Sequence, residues 1–456
     1  MTQLVKVEPV SGFPESLPNL RLVEERFIAT IRQQYQLFGF TPIETPAIER
    51  IEVLTSKGGM QRQIYTLGKP PEEDTDQRSG ARCAACGHLD AGLGLHFDLT
   101  IPLARYVVQH AEELVFPFRR YQIQKVWRGE RAQRGRFREF YQCDIDVVGR
   151  GSLDLIHDAE IPCVINATFS ALGLPEFKVH VSNRKILADL LSVQDVAENQ
   201  MASILRVIDK SHNARPEKTQ QAFEKEGVSA DLIPAVLELI SLDTIDEARE
   251  IFARVGAPTI GLEELQSVIE HAQALGMPAS RLRPDFRIAR GLDYYTGTIY
   301  ETFVQGKENW GSICSGGRYD DLASYFSKQK FPGVGISIGL SRLFNLLVDA
   351  KLIAVDRSSP TQVLVTTQDR EQYLKEYLNL ASLLRSAGIA TEIYLEPKAL
   401  RDQFGYASSN GIPFAVIAGQ REFEQQQVAV KNLQSRSQEM VPEAELAAYL
   451  KAKLLP

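Results

Sequence analysis

Cysteine is scarce and odd in number, five among 456 residues, so a disulfide framework is not expected. No apolar run approaches the ~20 residues that carry a helix across a bilayer, so no membrane partner is expected. Residues 1–8 lack the basic-then-apolar layout of a signal peptide, and a cytoplasmic location is expected. Charge of one sign is not in excess either. Lys and Arg number 51 against 58 Asp and Glu, for a formal charge of -7. No global basic field announces a nucleic-acid partner, although a local basic face is compatible with a net acidic surface. There is no internal repeat. What is abundant is apolar: 44% of the residues are hydrophobic, the composition of a folded chain. The length exceeds one ordinary core, so two or three domains are expected.

The most informative stretch is 128–146. Before it, residues 118–127 alternate and carry aromatic and β-branched side chains; after it, 140–148 do the same. Two strands joined by an Arg- and Gly-bearing loop make a hairpin. Its tip holds Arg131, Arg134, Arg136 and Arg138; its strand ends hold Arg128, Glu130 and Phe140. Guanidinium forks match phosphate oxygens and keep their charge. Glu130 is placed to accept from an exocyclic amine, and Phe140 to stack a base. Together these suit a nucleoside triphosphate. The same loop also reads as a solvated basic hairpin that serves solubility.

From the N-terminus, 21–38 has helical periodicity, with Leu22, Phe27, Ile28, Ile31, Tyr35 and Leu37 as the buried stripe and Gly39 as the cap. Residues 40–49 are extended, with Pro46 suiting an edge or a bend. The segment 67–95 is irregular and acidic. Its Cys83-Ala84-Ala85-Cys86-Gly87-His88 is half a zinc knuckle without a second pair, and is read as surface thiols in an insertion, with no metal assigned. Asp98-Leu99-Thr100 ahead of Pro102 fits a helix N-terminal cap. Residues 156–172 are an amphipathic helix, 177–182 a strand, and 183–276 almost all helical. Residues 284–290 and 298–304 read as strands. Ser315-Gly316-Gly317-Arg318-Tyr319-Asp320 permits close backbone approach to a ligand, or makes a tight turn with a solvent-facing Arg318. Residues 333–339 are a Gly-rich strand feeding a helix with Arg342 in its first turn. After a linker at 356–360, strands and helices alternate as in an α/β domain with a mainly parallel sheet.

Arg128-Gly129-Glu130-Arg131 followed by Gly135-Arg136-Phe137-Arg138-Glu139-Phe140 resembles motif 2 of the class II aminoacyl-tRNA synthetases. Phe140-Tyr141-Gln142-Cys143-Asp144-Ile145-Asp146 resembles its histidyl branch. Arg290-Gly291-Leu292-Asp293-Tyr294-Tyr295-Thr296 and Ser315-Gly316-Gly317-Arg318-Tyr319-Asp320 resemble the two motifs peculiar to histidyl-tRNA synthetases. The helix and strand of 21–49 look like motif 1, and 333–343 like motif 3. Leu400-Arg401-Asp402-Gln403-Phe404-Gly405-Tyr406-Ala407 resembles the family's anticodon-binding domain. The resemblance implies an α+β chain: an antiparallel-sheet catalytic domain in two parts, 1–182 and 277–355, a helical insertion at 183–276 that meets the tRNA acceptor arm, and an anticodon-binding domain at 361–456.

It also implies the chemistry. Histidine would be joined to ATP as histidyl-adenylate, then passed to tRNA(His), by a homodimer built through motif 1. An anion attacks an anion in the first step, so fixed positive charge at the α-phosphate is the main device. Arg128 and Arg290 match the positions that hold that phosphate; Arg136 and Arg342 serve the outer phosphates and the adenine face, with Glu130 and Phe140 at the base. Magnesium would come with the triphosphate. Asp98 and Thr100 match the holders of the α-amino group, Asp146 and Tyr295 those of the ring, and Gln142, Tyr294 and Tyr319 line the same pocket. A pocket that pairs both imidazole nitrogens rejects analogues lacking them. An acid in a sheet interior can equally be the structural partner of an arginine, so both roles stand for Asp146. Gln133 and Arg138 are candidates for the tRNA end. Two departures stand out: His96 occupies a position usually held by arginine, and Ser341 one usually held by glutamate. The alternative is a non-charging, histidine-binding paralogue that regulates a phosphoribosyltransferase. In such proteins the Arg290 motif is typically degraded and the C-terminal domain absent, and both are intact here.

Overall fold

The computed structural model describes residues 6–56, 63–67, 92–131, 135–194, 198–211, 216–288, 294–355 and 357–454. The chain divides into two compact units. One takes in Ile28–Leu352 with the residues before Glu15; the other takes in Ile353–Pro456 with Glu15–Phe27.

The strands run, in chain order, β1 (Thr41–Pro42), β2 (Ile48–Arg50), β3 (Leu93–Leu95), β4 (Phe118–Trp127), β5 (Glu139–Val148), β6 (Phe177–Asn183), β7 (Leu282–Pro284), β8 (Thr298–Val304), β9 (Cys314–Tyr319) and β10 (Gly333–Gly339). In the second unit follow β11 (Val363–Val365), β12 (Thr391–Ile393), β13 (Phe414–Ile417), β14 (Gln427–Asn432) and β15 (Gln438–Pro442). The first unit is built on an eight-stranded sheet in the order β1-β4-β5-β10-β9-β8-β6-β7. Its pairs are antiparallel except at the two edges, where β1 joins β4 and β6 joins β7 in parallel.

The alternation of β5 divides its side chains between two faces. Cys143, Ile145 and Val147 are fully buried on one. There the Tyr35 hydroxyl, on the helix Pro18–Leu37, donates to the Cys143 carbonyl at 2.9 Å. Phe140, Gln142, Asp144 and Asp146 occupy the other face. Register then fixes their neighbours: Asp146 lies opposite Arg120 on β4 and Gly335 on β10, and Asp144 opposite Gln122 and Ser337. The glycines of β9 and β10 make room over this face. A Cβ on Gly335 would come within 2.2 Å of Asp146 Oδ1 and 2.3 Å of the Ile145 carbonyl.

The stripe expected on the first helix holds at Phe27, Ile28, Ile31 and Tyr35, but Leu37 is exposed because it falls in the last turn, beside the Gly39 cap at φ +75°. The strand expected at 284–290 ends at Pro284 and gives way to a turn. Ser315–Tyr319 is not a turn but part of the central strand β9. Between β6 and β7, helices follow one another: Arg184–Leu191, Glu198–Ser211, Pro216–Lys225, Ile233–Leu239, Ile245–Val255 and Ile260–Ala274.

The second unit carries a five-stranded sheet, β12-β11-β13-β14-β15. It is mixed, not mainly parallel: β11 pairs in parallel with β12 and β13, whereas β13–β14 and β14–β15 are antiparallel. Its core joins Val363, Val365 and Val416 to Tyr377, Leu380 and Leu384 of the helix Arg370–Ser386 and to Leu446 and Leu450.

Candidate active site

The solvent-facing end of the β4–β5 hairpin and the glycine-rich strands β9 and β10 enclose a cavity of 410 Å³, a size typical of small-molecule sites, which run roughly 300–1,000 Å³. Of the residues singled out in the sequence, Asp98, Thr100, Arg128, Glu130, Arg136, Phe140, Gln142, Asp146, Tyr294, Tyr295, Tyr319 and Arg342 line it. Arg138 does not. Its Nε donates to the Glu130 carbonyl at 2.9 Å and its Nη1 to the Ser11 carbonyl at 3.4 Å, tying the hairpin to the N-terminal segment. Gln133 and Arg290 lie outside the described residues, as do Cys83 and Cys86.

The cavity is electrically polarised. Arg128, Arg136 and Arg342 stand toward the hairpin tip. The Arg128 Nε donates to the Phe97 carbonyl at 2.9 Å, and its guanidinium lies 5.1 Å over the Phe140 ring. Arg136 is more than half exposed, 3.8 Å from Glu130. Arg342, in the first turn of Leu340–Asp349, donates to the carbonyls of Ser312 at 3.0 Å and Trp310 at 2.5 Å. Burial, and then the charge of Arg136, push the Arg342 pKa down, so an anion placed here would be welcomed by both.

The buried end holds three carboxylates, Asp98, Asp144 and Asp146. Burial raises Asp98 and Asp144 to about 6 and Asp146 to about 7, with the Arg120 charge opposing each rise. The fully buried Arg120 guanidinium stands 2.5 Å from Asp146 Oδ2, and the Tyr319 hydroxyl donates to Asp146 Oδ1 at 2.8 Å. Asp146 is therefore a partner of an arginine as well as a cavity wall. Asp98 stands just ahead of the helix Thr100–Gln109 and also lines the cavity. One oxygen accepts from the Ile101 amide at 3.2 Å, at the start of the helix Thr100–Gln109. The other is buried without a partner. Three tyrosines close this end: the Tyr294 ring meets Tyr295 at 4.9 Å and Tyr319 at 6.1 Å, both edge-on.

Sequence reasoning missed Arg120, Asp144 and Ser337. Asp144 was findable, since it shares the two-residue period of Gln142 and Asp146. Arg120 was not, because only the register sets it against Asp146. Arg318 is also a correction to the reading of a solvent-facing side chain. It is buried on β9, and its Nε and Nη2 donate to the buried Asp158 at 2.7–3.1 Å. His96, the departure from arginine, stays out of the cavity. Its Nε2 lies 2.8 Å from the Lys125 carbonyl, which can only accept, so Nε2 carries the hydrogen. Burial lowers its pKa and keeps it neutral. It pins the segment after β3 to β4.

A family model described as histidyl-tRNA synthetase matches residues 12–343, and one described as an anticodon binding domain matches 362–453. A histidine–tRNA ligase of Xanthomonas campestris is 43% identical over 469 aligned positions, covering 99% of this chain and 97% of that protein. A crystal structure of histidyl-tRNA synthetase from Nostoc sp. PCC 7120 is 38% identical and superposes with a TM-score of 0.87, covering 99% of this chain and 100% of that one. An ATP phosphoribosyltransferase regulatory subunit/histidyl-tRNA synthetase from Bacillus halodurans, 22% identical, shares the fold at a TM-score of 0.70, with 89% and 97% covered.

Proposed function

The chain belongs to the histidyl-tRNA synthetase family, and from that premise we propose how its residues perform histidine–tRNA ligation. L-Histidine and ATP enter the polarised cavity. The histidine carboxylate attacks the α-phosphate, pyrophosphate leaves, and the histidyl group of the adenylate then passes to the terminal ribose of tRNA(His).

The buried acids suit the cationic end of the amino acid and the arginines suit the triphosphate. Arg128 and Arg290 neutralise the α-phosphate as the attacking anion arrives. Arg136 and Arg342 take the outer phosphates and the adenine face, while Glu130 and Phe140 meet the base. Asp98 and Thr100 receive the α-amino group; Asp146 and Tyr295 hold the imidazole, and Gln142, Tyr294 and Tyr319 line its pocket. Gln133 and Arg138 belong to the tRNA end. Among the described residues no three His, Cys, Asp or Glu side chains stand as a ready-made metal site. Magnesium is read as arriving with the triphosphate, whose charge it would shield.

The observation that carries this reading is one cavity with three buried carboxylates at its closed end and three arginines toward its open end. The regulatory alternative is disfavoured by the match of 362–453 to an anticodon-binding domain. We also read 183–276 as an insertion between two parts of the catalytic domain, a homodimer formed through the helix Pro18–Leu37 and the strand after it, and a cytoplasmic location. Among the described residues no helix is long and apolar enough to cross a membrane.

The test is histidine-dependent exchange of pyrophosphate into ATP, with the native chain and with Arg290→Ala. Exchange that requires histidine and collapses in the variant supports the assignment. Histidine binding without exchange in the native chain would sink it and favour the regulatory paralogue.

A further inference from the structure

Asp144 carries an oxygen that no described residue bonds. Its residue is 2% exposed, it lines the cavity, and Oδ1 has no hydrogen-bond partner. The rest of the carboxylate is held in place. Gln142 Nε2 donates to Ser337 Oγ at 2.8 Å, and the Ser337 hydroxyl hydrogen-bonds to Asp144. One serine on β10 thereby orients two neighbours on β5. Gln142 Oε1 and Asp98 Oδ2 are likewise buried in the same cavity without partners. Three orphan acceptors, two of them on carboxylates, share one wall system. An unsatisfied buried acceptor costs about 1–3 kcal/mol, more when charged, so a site that keeps three is built for a ligand with several donors.

The charge balance selects the ligand group. Asp146 already has Arg120 on one oxygen and Tyr319 on the other. Among the described residues Asp98 and Asp144 have no such ion-pair contact, and Arg128 turns its Nε toward a backbone carbonyl. A neutral imidazole offers one N–H; an ammonium offers three and brings the missing positive charge. We propose that Asp144 Oδ1 is a specificity-determining acceptor for the substrate's α-ammonium, completing with Asp98 Oδ2 and Gln142 Oε1 a three-acceptor cradle. This rests on the reading of the cavity as a histidine site and adds to it the residue that rejects substrates lacking the amino group.

The experiment compares the native chain with Asp144→Asn and Asp144→Ser in pyrophosphate exchange. L-Histidine serves as substrate. L-Histidinol (ammonium and ring, no carboxylate) and imidazolepropionate (ring and carboxylate, no ammonium) serve as competitors. Losing a buried hydrogen bond to a charged group is worth about 1.5–3 kcal/mol. The histidine KM and the histidinol inhibition constant should therefore rise about 10- to 100-fold in both variants, while that of imidazolepropionate stays within about 2-fold. Equal losses for all three compounds would overturn the proposal, since Asp144 would then serve the ring or the fold. Unchanged histidine binding would overturn it too. If Asp144→Asn does not fold, Asp144→Ser decides alone. Absence of exchange in the native chain would instead strike the reading of the site as a histidine ligase.

Discussion

The Arg120–Asp146 pair gives the sharpest prediction about how the site is held together. Both partners are buried, 0% and 3% exposed, so solvent screens neither. Arg120→Met keeps a long apolar stem and removes the charge. Asp146 then keeps only the Tyr319 hydroxyl and either stays ionised without its cation or takes up a proton. Removing one partner of a buried pair costs about 3–5 kcal/mol. The acid's proton affinity makes that cost depend on pH. Burial already raises Asp146 to about 7 with Arg120 opposing, so the variant's value must lie higher. A carboxyl raised in the folded state contributes stability that is complete below its unfolded pKa and lost as pH rises through the folded one. At pH 6 the acid is largely protonated in both proteins and the deficit should be small. Above 7 the native carboxylate ionises beside its guanidinium, while the variant must hold its proton at up to about 1.4 kcal/mol per pH unit. The deficit should grow by about 2 kcal/mol between pH 6 and pH 8.5.

Urea unfolding followed by tryptophan fluorescence measures this cleanly. The chain has two tryptophans, Trp127 and Trp310, and both belong to the unit that contains the pair. A deficit that does not change with pH would refute the electrostatic account and leave packing as the cause. No deficit at pH 8.5 would refute the importance of the pair altogether.

Three further outcomes follow. Gly335→Ala drives a methyl to 2.2 Å from Asp146 Oδ1 in a strand flanked on both sides. It should cost about 1–3 kcal/mol and abolish histidine binding in equilibrium dialysis; retained binding would show that β10 can shift. Phe140→Ala should raise the KM for ATP about 10-fold, the worth of one stacked base, with the histidine KM little changed, as steady-state exchange kinetics would show. Cys143, Cys163 and Cys314 are buried, and burial raises the Cys163 thiol to about 11 and holds Cys314 still higher. Brief alkylation of the native protein at pH 8 followed by mass mapping should leave all three unmodified.

Much of this architecture was legible because periodicity and turn residues are local. The ten-residue strands on either side of the arginine loop, the run of helices after Asn183, and Gly39 at a left-handed cap follow from side chains within a few positions of one another. What was missed depends on residues far apart in the chain. The antiparallel half of the second sheet lay beyond the βαβ alternation that suggested a parallel one. Ser315–Tyr319, short and glycine-rich, resembles a turn until β8 and β10 flank it as a central strand.

Arg119 and Arg120 show the limit most plainly. They are adjacent and chemically identical, yet strand alternation sends them to opposite faces. Arg119 bonds Glu160 and the Phe38 carbonyl at 2.8 Å each, partly exposed. Arg120 is sealed in the sheet, opposite Asp146. Only the register of the hairpin decides which arginine faces the acids. That choice in turn lets β5 present Asp144 and Asp146 on one buried face. With two acids, or three with Asp98, gathered in a low-dielectric pocket, one internal guanidinium offsets part of their mutual repulsion but leaves the rest unbalanced. The uncompensated remainder is what an incoming cationic group can satisfy. The charge balance of the closed end is therefore a property of the whole sheet, set by a register that no single motif carries.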